Sequence, residues 1–174
     1  FGRYTLLERL GETGITECYR ARVDGPEGFE KTCAVDRLCK GDLDDAEAIE
    51  AFIARARLAS RLHHPNLVEV HDVAQVEGRH VVAREYVDGM TLDAYMEACA
   101  QRGLPPSPAL ALYVTGELCR ALAYLHGLTG PDGTPQPVTH GNLVPSSILL
   151  GRQGVVKLTD FRAHGEQGAT PAED

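Results

Sequence analysis

The sequence predicts an α+β fold of two unequal lobes, and three observations predict it. The first third of the chain reads as β-strands, one amphipathic helical segment interrupts them, and after Asp88-Gly89 the pattern turns helical. The 174 residues suffice for one ordinary domain with a real core. A content of 43% hydrophobic and 24% charged residues is the balance of a soluble globular chain.

Each element has its own signal. Residues 4–10 (YTLLERL) run into the glycine turn GETG and then into residues 17–23 (ECYRARV). The polar loop DGPEGFEK separates these from residues 32–38 (TCAVDRL), and its glycines and proline mark a tight reversal, so three antiparallel strands are expected. Over residues 42–62, Ile49, Phe52, Ile53, Ala56, Leu58, Ala59 and Leu62 recur at helical steps. Asp44 and Asp45 lie near the start of this helix, where its dipole favours negative charge, and HHPN ends it because proline disfavours helical geometry in the preceding residue. Residues 67–73 and 80–86 read as two more strands around the turn VEGR. Helices are expected over 92–102 and 108–127, the second carrying Leu110, Leu112, Val114, Leu118, Leu122 and Leu125. The loop GPDGTPQP then leads to the strand-like pieces SILL and VVKLT, and the polar tail GEQGATPAED is expected to be disordered. The expected division is residues 1–87, residues 88–164 as a partial second lobe, and the tail 165–174.

The net charge of -8 argues against a general nucleic-acid or anionic-membrane binder, since those partners need concentrated Lys and Arg. No apolar run approaches the roughly 20 residues that span a bilayer, and the N-terminal stretch lacks the apolar core of a signal peptide. The five cysteines form no C-x-x-C pair and have no zinc spacing, which points to reduced, mostly buried thiols in a cytoplasmic protein.

The phrases HHPNLV, EYVDG, ILL and VKLTDF, in this order behind a glycine-containing turn, resemble the bacterial serine/threonine protein kinases over essentially the whole chain. Spacing carries the resemblance further. From Asp36 to Arg55 is 19 positions, the family's gap between third-strand lysine and helix glutamate; from Asn142 to Ser147 is five, and from Ser147 to Asp160 is 13, matching catalytic aspartate, metal-binding asparagine and metal-binding aspartate. The resemblance implies a kinase-like fold: a five-stranded antiparallel lobe with one helix, joined to the first helices and catalytic-loop hairpin of a mainly helical lobe. It also implies truncation after the DFG-like triplet.

At those positions the residues needed for phosphoryl transfer are largely exchanged. Asp36 stands for the lysine and Arg55 for the glutamate, so a salt bridge of reversed sign between them is one expectation, two solvated surface charges another. Gly11 keeps the sharp turn of the glycine loop and Gly14 follows it, but Thr13 and Thr16 replace two glycines; alternatively GETG is only a hairpin turn. Asn142 cannot accept a proton at neutral pH, and Ser147 is a short neutral ligand poorly suited to magnesium. Asp160 retains a carboxylate that can bind a cation, while Arg162 replaces a glycine and can pair with it. His140 and Phe161 are implied to be structural, stacked on each other. The implied nucleotide-pocket positions are Leu10, Gly11, Gly14, Cys18, Ala34, Arg84, Glu85, Val87 and Leu149, several of which are equally readable as ordinary core. Arg84 is expected to crowd that pocket and to offer Asp36 an ion pair.

The resulting expectation is a catalytically inactive protein-kinase-like module acting as a regulatory scaffold, without cofactor. Its partners would be proteins, the missing part of the second lobe, or a second copy covering the exposed apolar face of the 108–127 helix. The alternative is an ATP- and magnesium-dependent serine/threonine kinase with weak or unusual activity, favoured by retention of Asp160.

Overall fold

The computed structural model describes residues 2–13, 16–39 and 45–161. Its elements are β1 (Tyr4–Thr13), β2 (Thr16–Asp24), β3 (Glu30–Leu38), α1 (Ala46–Ala59), β4 (Val70–Val76), β5 (Arg79–Glu85), β6 (Gly89–Thr91), α2 (Leu92–Gln101), α3 (Pro108–His126), β7 (Ile148–Gly151) and β8 (Val156–Leu158). The first five strands form an antiparallel sheet in the order β1-β2-β3-β5-β4, and β6, β7 and β8 form a second, small sheet. This is the expected α+β arrangement.

Local chemistry explains the boundaries. Asp45 caps α1, its carboxylate accepting from the amides of Glu47 and Ala48 at 3.0 and 3.1 Å, so the described helix starts at Ala46. The expected extension to residue 62 is instead a tightened turn, with Arg61 and Leu62 amides donating to Leu58 and Ala59 carbonyls. The VEGR turn is as expected: Glu77 and Gly78 both have positive φ, the conformation that joins β4 to β5 in a two-residue hairpin. Ser107 caps α3, with Pro108 in its first turn.

Two departures matter for the site. Leu67 and Val68, expected at the start of β4, join β8 instead: Val68 N–H donates to the Leu158 carbonyl and Leu158 N–H to that of Asn66. Residues 66–68 therefore fasten the large sheet to the second lobe. Strand β6, not expected from sequence, pairs with β7 so closely that a Cβ on Gly89 would lie 2.0 Å from the Leu150 carbonyl oxygen.

Three apolar clusters hold the molecule. One lies on a face of the large sheet (Tyr4, Ala21, Cys33, Val35, Val81, Ala83); a second joins α1 to the other face (Leu38, Phe52, Ala56, Val82). The third, in the second lobe, includes Leu67, Val114, Leu125, Leu158 and Phe161. The apolar face of α3 is better covered than expected: Val114, Ala121 and Leu125 are buried, and Leu112 stands exposed. Of the free thiols Cys18 and Cys33 are buried and Cys119 is exposed, so burial holds for part of the set. No helix among the described residues is long and apolar enough to cross a membrane.

Candidate functional site

Strand and helix periodicity bring the singled-out residues together. Ala34, Asp36 and Leu38 alternate onto one face of β3, while register sets Cys18 of β2 opposite Asp36 and Arg84 of β5 opposite Ala34. Phe52, Arg55, Ala56 and Ala59 follow the three- and four-residue steps of α1 and point at the same place. The stretch after β8 supplies Thr159, Asp160 and Phe161. With Asn142, the Asp36, Arg84, α1 and 159–161 residues line a cavity of about 250 Å³ between α1, the sheet and the second lobe, while Cys18, Ala34 and Leu38 stand outside its wall.

An ion pair dominates its upper wall. Arg84 Nε donates to Asp36 Oδ2 at 2.6 Å and Nη2 donates to Oδ1 at 3.3 Å, with Nη2 also 3.4 Å from Cys18 Sγ. The two side chains are only 15% and 17% exposed, which makes this a largely buried, two-point pair. The guanidinium thus reaches from β5 to Asp36 on β3 and Cys18 on β2, and the small Ala34 is its ladder partner. Burial opposes its charge, but Asp36 more than offsets this and holds the Arg84 pKa above its ordinary value. Burial, then Asp36, push the Cys18 thiol up, so it is protonated at neutral pH. The partner of Asp36 is therefore Arg84, across the β3–β5 ladder, and not Arg55 as the family spacing suggests. Arg55 lines the same cavity, and its charge acts on Asp160.

Asp160 sits at a positive φ of 62°. Burial raises its pKa, Arg84 draws it back, Asp36 pushes it up again and Arg55 lowers it; the net direction is upward. His140 and Phe161 pack with ring centroids 4.7 Å apart, but the rings are tilted by 50° and not stacked as expected. His140 is buried, which lowers its pKa; its Nε2 donates to the Thr159 carbonyl at 2.7 Å and its Nδ1 accepts from the Asn142 amide at 3.2 Å. These two partners assign a neutral tautomer. Ser147, 1% exposed, has its hydroxyl engaged by the loop itself, within 2.8 Å of the Val144 carbonyl and 3.0 Å of the Asn142 carbonyl, and accepting from the Val144 amide at 3.2 Å.

The implied nucleotide-pocket residues divide. Arg84 lines the cavity, whereas Leu10, Cys18, Ala34, Glu85, Val87 and Leu149 lie outside its wall. Cys18 and Ala34 are buried above the Arg84 guanidinium, and Leu10 is exposed. Gly11 is not at a sharp turn: it lies within β1 opposite Cys18, at a register shift, and a Cβ there would meet open space. The turn itself, with Gly14, falls outside the described residues, as do the Thr13 side chain, Asp44, Arg162 and the tail 165–174. Glu85 accepts a hydrogen bond from Lys157 Nζ at 2.7 Å, a strut between β5 and β8 that sequence reasoning missed. Also missed was the apolar cavity wall. The run of small residues Ala56 and Ala59 on the inward face of α1 was the available signal.

Comparison with known proteins agrees with this fold. The family model for protein tyrosine and serine/threonine kinases matches residues 4–166, and the chain belongs to that family. It is 32% identical over 162 residues to the tyrosine-protein kinase MasK of Myxococcus xanthus, covering 92% of this chain and 25% of MasK. It is 30% identical over 160 residues to the serine/threonine-protein kinase PrkC of Bacillus subtilis, covering 92% of this chain and 22% of PrkC. The crystal structure of the Mycobacterium tuberculosis PknI kinase domain superposes with a TM-score of 0.65 at 30% identity, over 92% of this chain and 59% of that one. The chain thus spans about a quarter of the length of the curated relatives it matches.

Proposed function

We propose that this kinase-family chain has lost magnesium-ATP phosphotransfer and serves as a regulatory binding module for protein partners in the cytoplasm. In this reading residues 1–87 and 88–164 are its two lobes. The observation that carries the reading is the Arg84–Asp36 pair. A carboxylate stands where phosphates need a cation, and at ~4 Å from a phosphate it would repel by roughly 4 kcal/mol at an effective dielectric of about 20. The cation that neutralises it is drawn under Cys18 and Ala34, into the space where a flat base would lie.

The donor set supports the same reading. Magnesium demands octahedral oxygen ligands, usually one or two carboxylates with phosphates and waters. Asp160 offers one carboxylate within range of two guanidinium charges, and the Ser147 hydroxyl is engaged by its own loop. These residues do not fit a resident magnesium ion. Asn142, at the position of the catalytic base, has no proton affinity at neutral pH.

A second reading, a weak or unusual ATP-dependent protein kinase, is favoured by Asp160 and by relatives that are named kinases. Thermal melting with and without magnesium-ATP separates the two. No saturable shift is expected from this chain, and a shift from Asp36→Lys combined with Arg84→Met. A magnesium-dependent shift in the unmodified protein, or transfer of labelled phosphate that Asp160→Ala abolishes, overturns the proposal.

A further inference from the structure

The loop between α1 and β4 ties the large sheet to the second lobe, and its fastening runs through one histidine. Asn66 is buried there and bonds to both α3 and β8. Its side-chain amide donates to Glu117 Oε2 at 2.7 Å and to the Val156 carbonyl at 2.9 Å, and its own carbonyl accepts from the Leu158 N–H at 2.8 Å. What holds Asn66 in turn is His64. The Asn66 N–H donates to His64 Nδ1 at 3.1 Å, and the His64 carbonyl accepts from the Leu67 N–H at 3.0 Å. The His64 ring stacks on Tyr124 of α3, with centroids 5.1 Å apart and 27° between the planes. The Tyr124 hydroxyl accepts from the His63 N–H at 3.0 Å, so ring and loop are pinned to the same side chain.

Only a neutral imidazole makes the bond to Asn66. Nδ1 accepts there, which places the ring proton on Nε2, and a second proton would set one N–H against another. The charged groups facing His64 divide. Glu117 on α3 favours the imidazolium, but it is already engaged by Asn66 and by Arg120. Lys157 on β8 opposes it, and burial opposes it most, so the net direction of the His64 pKa is downward. His63 and Glu69 line the same shallow cavity as His64 and Lys157. We propose that His64 is an acid-sensitive latch between the lobes: neutral, it holds the Asn66 amide and the α3 and β8 contacts that depend on it; protonated, it releases them and the junction opens locally. An unfolded histidine takes its proton near 6.5, so the latch is fully closed above that pH and loosens as pH falls through the lower folded value. None of His64, Asn66, Glu117 and Tyr124 lines the cavity beside Asp36 and Arg84, so the device does not depend on whether the chain transfers phosphate.

The test is amide hydrogen exchange of the full chain by NMR, with rates corrected for their intrinsic pH dependence. From about pH 7.5 to about pH 5 the Asn66, Val68 and Leu158 amides are expected to lose protection about three- to tenfold, the size of one hydrogen bond, while amides between β2 and β3 hold. His64→Asn keeps an acceptor oxygen within reach of the amide two residues on and does not titrate, so its protection should stay level. The His64 ring of the parent should titrate below ~6.5. His140→Gln, which removes the buried histidine of the second lobe, should leave the pH step in place. The latch is overturned if His64 titrates at ~6.5 or above, if the step persists in His64→Asn, if it vanishes in His140→Gln, or if the β2–β3 amides lose protection equally.

Discussion

Replacing Asp36 by alanine should unfold this chain far more readily than replacing both members of its ion pair by apolar residues. Asp36 and Arg84 are joined at 2.6 and 3.3 Å with side chains 17% and 15% exposed, so neither charge is well hydrated. Asp36→Ala leaves the guanidinium largely buried without its carboxylate, a loss of about 3–5 kcal/mol for a fully buried pair; the residual exposure places it near ~3 kcal/mol. Arg84→Leu leaves Asp36 facing the half-buried Asp160 carboxyl, with a loss of similar order. The double variant Asp36→Val/Arg84→Leu removes both charges and fills the space with aliphatic volume, and should lie within ~1 kcal/mol of the parent. For a domain of this size, ~3 kcal/mol corresponds to a fall in Tm of roughly 6–12 °C. Urea unfolding at pH 7 of the parent, Asp36→Val, Arg84→Leu and the double variant, followed by circular dichroism, closes the double-mutant cycle, with Asp36→Ala measured alongside. Single losses below ~0.5 kcal/mol, or losses that simply add in the double variant, would refute the claim that these charges are buried and paired.

Two pH effects of opposite sign should be separable. Burial depresses the His140 pKa, so the folded state resists a proton that the unfolded chain accepts below about 6.5. Stability present above that value should be lost as pH falls towards the depressed folded pKa, and the acid slope of Tm should flatten in His140→Gln. The Asp160 pKa is raised, so its folded state prefers the proton and stability is gained as pH falls through the raised value. Asp160→Asn should therefore melt higher than the parent at pH 7, a gap that closes towards pH 4; a gap that widens would show the sign to be wrong. Gly89→Ala should cost about 1–3 kcal/mol in urea unfolding, because the added methyl meets the Leu150 carbonyl of the neighbouring strand.

Much of the fold was legible because its signals are local. Alternation and turn residues located the five strands, and the Glu77-Gly78 turn has the positive φ values such a hairpin requires. What escaped was decided by pairing between distant segments. Leu67 and Val68 look like the beginning of a strand and are extended, but their ladder partner is β8, about 90 residues away in sequence. Strand β6 is three residues long, too short for any period to register, and exists because β7 lies beside it.

At the site, sequence located the positions and anticipated an Arg84–Asp36 pair, but it also expected Asp36 to pair with Arg55, which it does not. The 19-residue spacing singles out Asp36 and Arg55 because in the family that spacing brings a lysine and a glutamate together. A spacing carries geometry only while the chemistry at both ends is unchanged. Here a second guanidinium stands on β5, one ladder step from Asp36, where a single side chain reaches it with two hydrogen bonds. That pair removes Asp36 as an obligatory partner for Arg55, whose charge also acts on Asp160. Arg84 and Asp36 should therefore be considered as one exchange: an arginine at that position without the aspartate would bury an uncompensated charge, and the aspartate without the arginine would face Asp160. The cavity they border owes its electrical neutrality to that coupling. If the proposed loss of nucleotide binding holds, restoring it requires changing both residues together, whereas Asp36→Lys alone would set a third cation against Arg84 and Arg55.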